Sequence, residues 1–451
     1  MKIRTKIFFV FLFTTNPFLQ IFSQLDENLT EKKLLPIFNE IQVAFNDEIN
    51  LWYPLCIDTI YGGYYSDLNY KWQLDGFQNK MIVSQARHIW SASNAYIFYN
   101  DRKDLLRTAE LGFKFIKDKM WDKTYGGFYD LVDRKGNPIK ENGELIKRAY
   151  GNAFAIYGLA CYYRASGNIE ALNLAKKTFY WLDQHSFDNV NGGYFQFITE
   201  DGEAFKNGYK STPAKDQNSS IHLLEAFTEL YKVWKDDLLQ QRLTELMQLI
   251  RDKFTTENGF LNLFFTKELN PISFRDSLIE IRNKNLEFDH VSFGHDIETA
   301  YLLIEAEDVL ENPSLDKTLS VAKKMIDHTI NYGWDNLNGG IYDAGYYFKE
   351  NQPIQIIKNN KVWWAQAEAL NTLFLASNLF IESREKYLIK FIEMWNFIKK
   401  YSLDQENKGW FWDALDNVPE NKVYPKGTIW KVNYHTSRSL SNILHLKNQI
   451  K

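Results

Sequence analysis

A glycine–aromatic turn recurs six times along this chain, and a feature repeated so often dictates the architecture before any other residue is considered. "YGGYYSD" at Tyr61–Asp67, "YGGFYD" at Tyr125–Asp130, "NGGYFQF" at Asn191–Phe197 and "NGGIYD" at Asn338–Asp343 carry it in full. "NGFLNLF" at Asn258–Phe264 and "KGWFWD" at Lys408–Asp413 are weaker copies. Gly63, Gly127, Gly193, Gly259, Gly340 and Gly409 fall about 65–80 residues apart, a period that signals a repeated supersecondary unit.

Each unit reads as two helices with the glycine turn between them. In the third, Ala171–His185 is helical, the turn follows, and a second helix runs from Asn218 to Trp234 before the next unit begins near Leu238–Phe254. The two helices differ in character. Leu239, Leu243, Leu246 and Ile250 form one stripe, as on a helix exposed on one side. Across Ile221–Trp234 the apolar positions Ile221, Leu223, Leu224, Phe227, Leu230, Val233 and Trp234 spread more widely, as on a helix buried on most sides. Six exposed helices alternating with six buried ones predict two concentric rings, an all-α (α/α)6 barrel whose neighbouring units complete one core. The long exposed-to-buried links all carry the glycine turns, so they gather at one mouth of the barrel. Glycine supplies positive φ and the aromatics suit strands, which predicts short β-hairpins rimming that mouth.

Candidate chemical residues cluster after these turns, at the starts of the buried helices. In chain order they are Arg87; Tyr150 and Asn152; Asn218, His222 and Glu225; His295, Asp296 and Glu298; Trp363, Trp364 and Glu368; and Trp430, His435 and Arg438. The chain has 8 His, and three share this address. His88, His185, His290, His328 and His445 lack it and read as structural or surface residues. The three histidines have no paired spacing, and HExxH and CxxC are absent, so a metal is not expected. A neutral imidazole can act as a base near neutral pH, and Glu298 stands at i+3 from His295 on the same helical face. Aromatics at 16% are more than core packing requires and suit a cleft that stacks on flat apolar faces of a ligand.

The segments "QARHIW", "HLLEAFTELY", "SFGHDIETAYLLIEA", "WWAQAEAL" and "YHTSR", in that order with glycine turns between them, resemble the N-acylglucosamine 2-epimerase superfamily, and within it the cellobiose and mannobiose 2-epimerases. The resemblance covers essentially the whole chain after the leader. It implies an (α/α)6 barrel that epimerises or isomerises a reducing mono- or disaccharide without metal or redox cofactor. By the same resemblance His295 and His435 are the acid/base pair at carbon 2, and Arg87 stabilises an enediolate. His222 assists ring opening, Glu298 supports His295, and Tyr150, Asn218 and Glu368 bind substrate. Trp363 or Trp364 and Trp430 stack on sugar faces. Three other readings use the same barrel: an aldose–ketose isomerase such as a mannose–fructose enzyme, an N-acylglucosamine 2-epimerase of the same family, and a glycoside hydrolase with Glu298, Glu368 and Asp413 as its carboxylates. The hydrolase leaves the histidines without a task, and a non-catalytic sugar binder has no need of His295 and His435.

Lys2, Arg4 and Lys6 precede the apolar run Ile7–Phe13, and Ile21-Phe22-Ser23 suits cleavage. Residues 1–23 therefore read as a signal peptide, residues 24–451 as one barrel domain, and the protein as secreted or periplasmic, a monomer or a dimer. No later stretch resembles a membrane span. A formal net charge of −4 with no long basic run argues against a nucleic-acid partner. Cys56 and Cys161, in apolar helical surroundings, are expected as two buried free thiols.

Overall fold

In the computed structural model, residues 27–311, 315–348 and 352–449 are described. The expected leader at 1–23 lies outside them. Among the described residues no helix is long and apolar enough to cross a membrane.

Outer helix α1 (Glu27–Leu55) leads to a two-residue strand β1 (Lys80–Met81) and inner helix α2 (Ile82–Tyr99). The alternation then repeats with outer α3 (Lys103–Phe115), β2 (Leu131–Val132), β3 (Ile146–Arg148) and inner α4 (Ala149–Ser166). Outer α5 (Ile169–His185), β4 (Phe197–Thr199), β5 (Lys215–Asp216) and inner α6 (Gln217–Val233) form the third unit. The fourth has outer α7 (Asp237–Leu249), β6 (Phe264–Phe265), short helices α8 (Ile279–Lys284) and α9 (Leu286–Asp289), β7 (Val291–Ser292) and inner α10 (Phe293–Leu310). Outer α11 (Leu315–His328), β8 (Ala344–Tyr346), β9 (Gln355–Lys358), inner α12 (Trp363–Leu379), outer α13 (Arg384–Phe397) and inner α14 (Tyr434–Gln449) complete the chain. Each inner helix packs on the next, and α14 returns to α2, so the inner ring closes. One continuous buried cluster runs from Leu34 to Leu444. Cys56 and Cys161 are buried free thiols within it.

The helix boundaries follow local chemistry. Asn168 and Asp236 cap outer helices by accepting from the first backbone N–H groups, Glu170 and Ala171 for one, Leu238 and Leu239 for the other. Inner helices have no such side-chain cap. Instead their first N–H groups reach carbonyls of the following unit: Ile82 to Asp130, Ala149 to Gln196, Gln217 to Leu263, Trp363 to Trp412. One of the donors orphaned at the start of each of these four inner helices is thus satisfied by the neighbouring unit.

Short antiparallel pairings occupy the long links as expected, and most of the strands also pair across units. Each glycine turn is closed by one antiparallel bridge: Ile57–Tyr64, Trp121–Phe128, Phe187–Tyr194, Thr255–Leu261, Trp334–Ile341 and Leu403–Trp410. β8 and β9 pair as a hairpin within the fifth unit, and the other strand pairings run between units, β1 with β2, β3 with β4, β5 with β6, β7 with β8. Val362–Asp413 and Leu68–Gly427 continue the pattern and join the last unit to the first. The segment before an inner helix must satisfy its own backbone, and the strand of the next unit is the partner within reach.

A buried ion pair locks most of these turns. Asp58, Asp122, Asp188, Asp335 and Asp404 each stand four or five residues before a turn glycine, and each meets a lysine, Lys80, Lys147, Lys215, Lys361 and Lys426, at 2.7–3.0 Å. The other carboxylate oxygen accepts from turn N–H groups, for example Thr124 and Tyr125 on Asp122. The lysine also donates to a turn carbonyl, as Lys147 does to Gly126. The fourth unit has Thr256 and Val291 at the corresponding places. A side chain at Gly127 (φ +71°) would place its Cβ 2.7 Å from Trp181, so the second glycine is required by packing as well as by φ.

Candidate active site

The inner helices start at the mouth, and side chains from their first two turns converge there. Arg87, His222, Glu298 and Glu368 occupy the same step, the sixth residue of α2, α6, α10 and α12. Four equivalent positions on a closed ring point toward one centre. Phe154 fills the same step of α4, and the Arg87 guanidinium lies 4.2 Å above its ring.

Arg87 donates to the Tyr150 hydroxyl at 3.0 Å and to the Trp430 carbonyl at 3.3 Å. Nδ1 of His435 meets Glu368 Oε1 at 2.7 Å. His222 Nδ1 meets Glu225 Oε2 at 2.9 Å, and His295 Nδ1 meets Ser292 Oγ at 2.8 Å. The indole of Trp364 neighbours two histidines, its ring 4.7 Å from that of His295 and 5.6 Å from that of His435.

Beneath these groups lies a charged hub that sequence reasoning did not assemble. The Arg438 guanidinium bonds Glu225 and Glu298 and lies 2.6 Å from Glu368 Oε1. The Tyr434 hydroxyl joins it by donating to Glu225. Three carboxylates from three helices therefore surround one arginine, all buried. Glu368 Oε1 accepts from both Arg438 and His435, so a proton on this carboxyl belongs on Oε2, which has no partner. Burial pushes the Glu368 carboxyl well up against the pull of Arg438, with Glu298 adding to the rise. Burial opposes ionisation of Glu225 too, but Arg438 and His222 overcome it and hold that carboxyl at about 2. His435 is lowered well below an ordinary histidine by burial and by Arg87 and Arg438, and burial with His222 and His290 takes His295 to about 3. Both imidazoles are neutral at working pH, which suits them to accept a proton.

Glu298, Glu368 and His435 could offer three metal ligand atoms within 4.8 Å of one another. The Arg438 guanidinium already supplies the positive charge that both carboxylates face, so a divalent ion there would be opposed by it.

The geometry revises several sequence assignments. Glu298 was paired with His295, but its carboxylate turns to Arg438 and lies 3.7 Å from His435 Nδ1. Glu368, expected to bind substrate, is fully buried and holds His435 instead. Of the tryptophan pair, Trp363 is buried against Trp412 at 4.7 Å, leaving Trp364 beside the histidines. Trp430 is about half exposed (45%) and stands at the rim, and Asn218 sits at the start of α6 beside the site. Asn152 and Asp296 hold the turns, accepting from the Phe128 and Leu261 N–H groups. Gln85 and Gln366 do the same for Tyr64 and Ile341. The hub did leave a trace in the sequence: His222/Glu225, His295/Glu298 and His435/Arg438 each pair a histidine with a charge at i+3.

The N-acylglucosamine 2-epimerase (GlcNAc 2-epimerase) family model matches residues 63–439. The chain belongs to this family. It is 31% identical over 418 residues to a cellobiose 2-epimerase from Ruminococcus albus, covering 90% of this chain and 98% of that one. A second cellobiose 2-epimerase, from Dictyoglomus turgidum, is 28% identical over 434 residues, covering 94% and 97%. The solved cellobiose 2-epimerase of Spirochaeta thermophila superposes with a TM-score of 0.79 at 29% identity, covering 94% of this chain and 98% of that one. As a member of the N-acylglucosamine 2-epimerase family the protein is a carbohydrate epimerase or isomerase, and its (α/α)6 barrel is the fold of those relatives.

Proposed function

We propose that the protein inverts carbon 2 of the reducing-end glucose or mannose of a β-1,4-linked disaccharide, with His295 and His435 exchanging the proton. The observation that carries this is the pair of neutral imidazoles that both neighbour Trp364, each with Nδ1 tied to a neighbour. Tying Nδ1 fixes each ring and leaves Nε2 for the substrate.

In this reading the sugar opens to its aldehyde, with His222 as proton donor backed by the ionised Glu225. One histidine takes the carbon 2 proton. The electrons of that bond form a carbon 1–carbon 2 double bond, and the negative charge moves to oxygen 1, where Arg87 stabilises it. The resulting cis-enediolate is planar, and the second histidine, which took the carbon 1 hydroxyl proton as the ring opened, delivers it to carbon 2 from the opposite face, while the first returns the carbon 2 proton to oxygen 1 as the ring closes. The aldehyde reforms, and the ring closes as the epimer. No atom is lost and no oxidant is needed. Tyr150 and Asn218 bind hydroxyls, Trp364 packs on the reacting sugar and Trp430 on the second ring. The relatives' cellobiose 2-epimerase names support the substrate class, and the leader-like N-terminus supports work outside the cytoplasm.

Incubation in heavy water with cellobiose, mannobiose, mannose and N-acetylglucosamine tests this. The expected product is the carbon 2 epimer of a disaccharide carrying one deuterium at carbon 2. A ketose labelled at carbon 1, or cleavage of the glycosidic bond, would overturn it.

A further inference from the structure

The three histidines at the mouth are held by chemically different partners. Nδ1 of His222 meets Glu225, and Nδ1 of His435 meets Glu368, both carboxyl groups of the hub. Nδ1 of His295 meets a neutral hydroxyl, Ser292 Oγ, at 2.8 Å.

Ser292 is fixed by the backbone around it. It is the second residue of β7, where it pairs with Ala344 of β8, and it stands directly before α10. Its side chain is buried. A serine at such a place ordinarily accepts from the backbone N–H of the second or third helical residue. Ser292 makes no side-chain bond of that kind. His295 is the third residue of α10, and its ring nitrogen is the partner of the hydroxyl instead. Trp364 packs on the same imidazole at 4.7 Å. Gly294 permits that approach, because a Cβ there would stand 2.7 Å from the indole.

The partner decides what the ring can do. Glu225 is ionised and can only accept, so Nδ1 of His222 must carry a proton. A hydroxyl can accept or donate. When Ser292 Oγ accepts, the proton sits on Nδ1 and Nε2 is a free base. When it donates, Nε2 carries the proton and cannot take another from carbon.

We propose that Ser292 is a positioning residue for His295: its oxygen accepts from Nδ1–H, which leaves Nε2 bare for the carbon 2 proton, and its neutrality lets the ring release that proton again. This rests on the two-histidine reading above. His222 and His290 act on His295 electrostatically, and His295 in turn acts on His435. On its own helix, Asp296 is turned to the Leu261 N–H and Glu298 to Arg438. A carboxylate at position 292 would therefore add an attraction for the imidazolium that the present surroundings do not direct at it.

Ser292→Ala is expected to lower kcat for cellobiose at least tenfold, with KM within twofold and an unchanged thermal midpoint. Ser292→Thr, which keeps the hydroxyl, should recover most of the lost kcat. Two-bond proton–nitrogen NMR should show His295 protonated on Nδ1 and bare on Nε2 in the unmodified protein, and a mixture of tautomers in Ser292→Ala. A base works only above its own pKa, and a neighbouring carboxylate raises that pKa, so Ser292→Asp should move the acid limb of kcat/KM up by about one pH unit or more. Unchanged kcat in Ser292→Ala, the same single tautomer in both proteins, or an acid limb that stays in place in Ser292→Asp would overturn the assignment. The Thr and Asp variants decide it even where Ala unsettles the fold. If the unmodified protein turns over no reducing sugar, the epimerase reading fails on its own, and the NMR comparison still decides what Ser292 does to His295.

Discussion

Replacing Glu225 with Gln removes one buried charge while preserving shape, and so isolates what the hub does for His222. Oε2 accepts the Nδ1–H of His222 at 2.9 Å, and Oε1 accepts from Tyr434 and Arg438. The carboxyl is held at about 2, so it is ionised at every working pH. Two unit charges about 4 Å apart interact by about 4 kcal/mol at an effective dielectric of 20. The amide keeps a hydrogen bond worth about 1 kcal/mol, leaving about 3 kcal/mol. If His222 carries positive charge as it donates to the opening ring, that loss lowers kcat about a hundredfold. The assay is steady-state epimerisation of cellobiose resolved by chromatography, with circular dichroism melts to show that the variant folds. A kcat within threefold of wild type, at an unchanged melting midpoint, would refute the coupling of Glu225 to His222.

Other consequences can be checked as directly. Lys147→Met strands Asp122, which is buried and otherwise paired at 2.7 Å; the expected loss is about 3–5 kcal/mol in urea unfolding. The double variant with Asp122→Asn should recover part of it, and an equal loss in both would deny that the pair is a clamp. An imidazole loses its basicity below its own pKa, so a base held near 3, as His295 is, keeps its function far below the 6.5 of a free histidine. The acid limb of kcat/KM should therefore lie below pH 5, and a midpoint near 6.5 would contradict the lowered histidine. Trp364→Ala should cut kcat/KM at least tenfold, whereas Trp363→Phe, a core position, should act on thermal stability and leave KM within twofold.

The repeat made the barrel legible because every unit obeys the same physics: a positive-φ turn, a short bridge, then a buried helix. It also led to the site, since side chains just after the turns share one end of one ring. The clamp was equally present in the sequence, as an Asp before five of the six turns and a Lys soon after each of those. Those two residues lie 22–27 apart, and only the folded chain reveals that they touch. Glu298 shows the opposite limit. Its i+3 spacing from His295 is real, yet Arg438, 140 residues away, claims the carboxylate. Helical phase decided between Trp363 and Trp364, and two adjacent residues on a helix cannot be told apart until its neighbours are known.

The central claim is that two histidines serve opposite faces of carbon 2, and proton exchange in heavy water tests it most directly. With His295→Asn and His435→Asn in turn, each epimer is incubated separately and its carbon 2 proton followed by NMR. The account predicts that neither variant epimerises, while each still washes the carbon 2 proton out of one epimer, a different epimer for each variant. Loss of exchange from both epimers in both variants, or continued epimerisation in either, would contradict it.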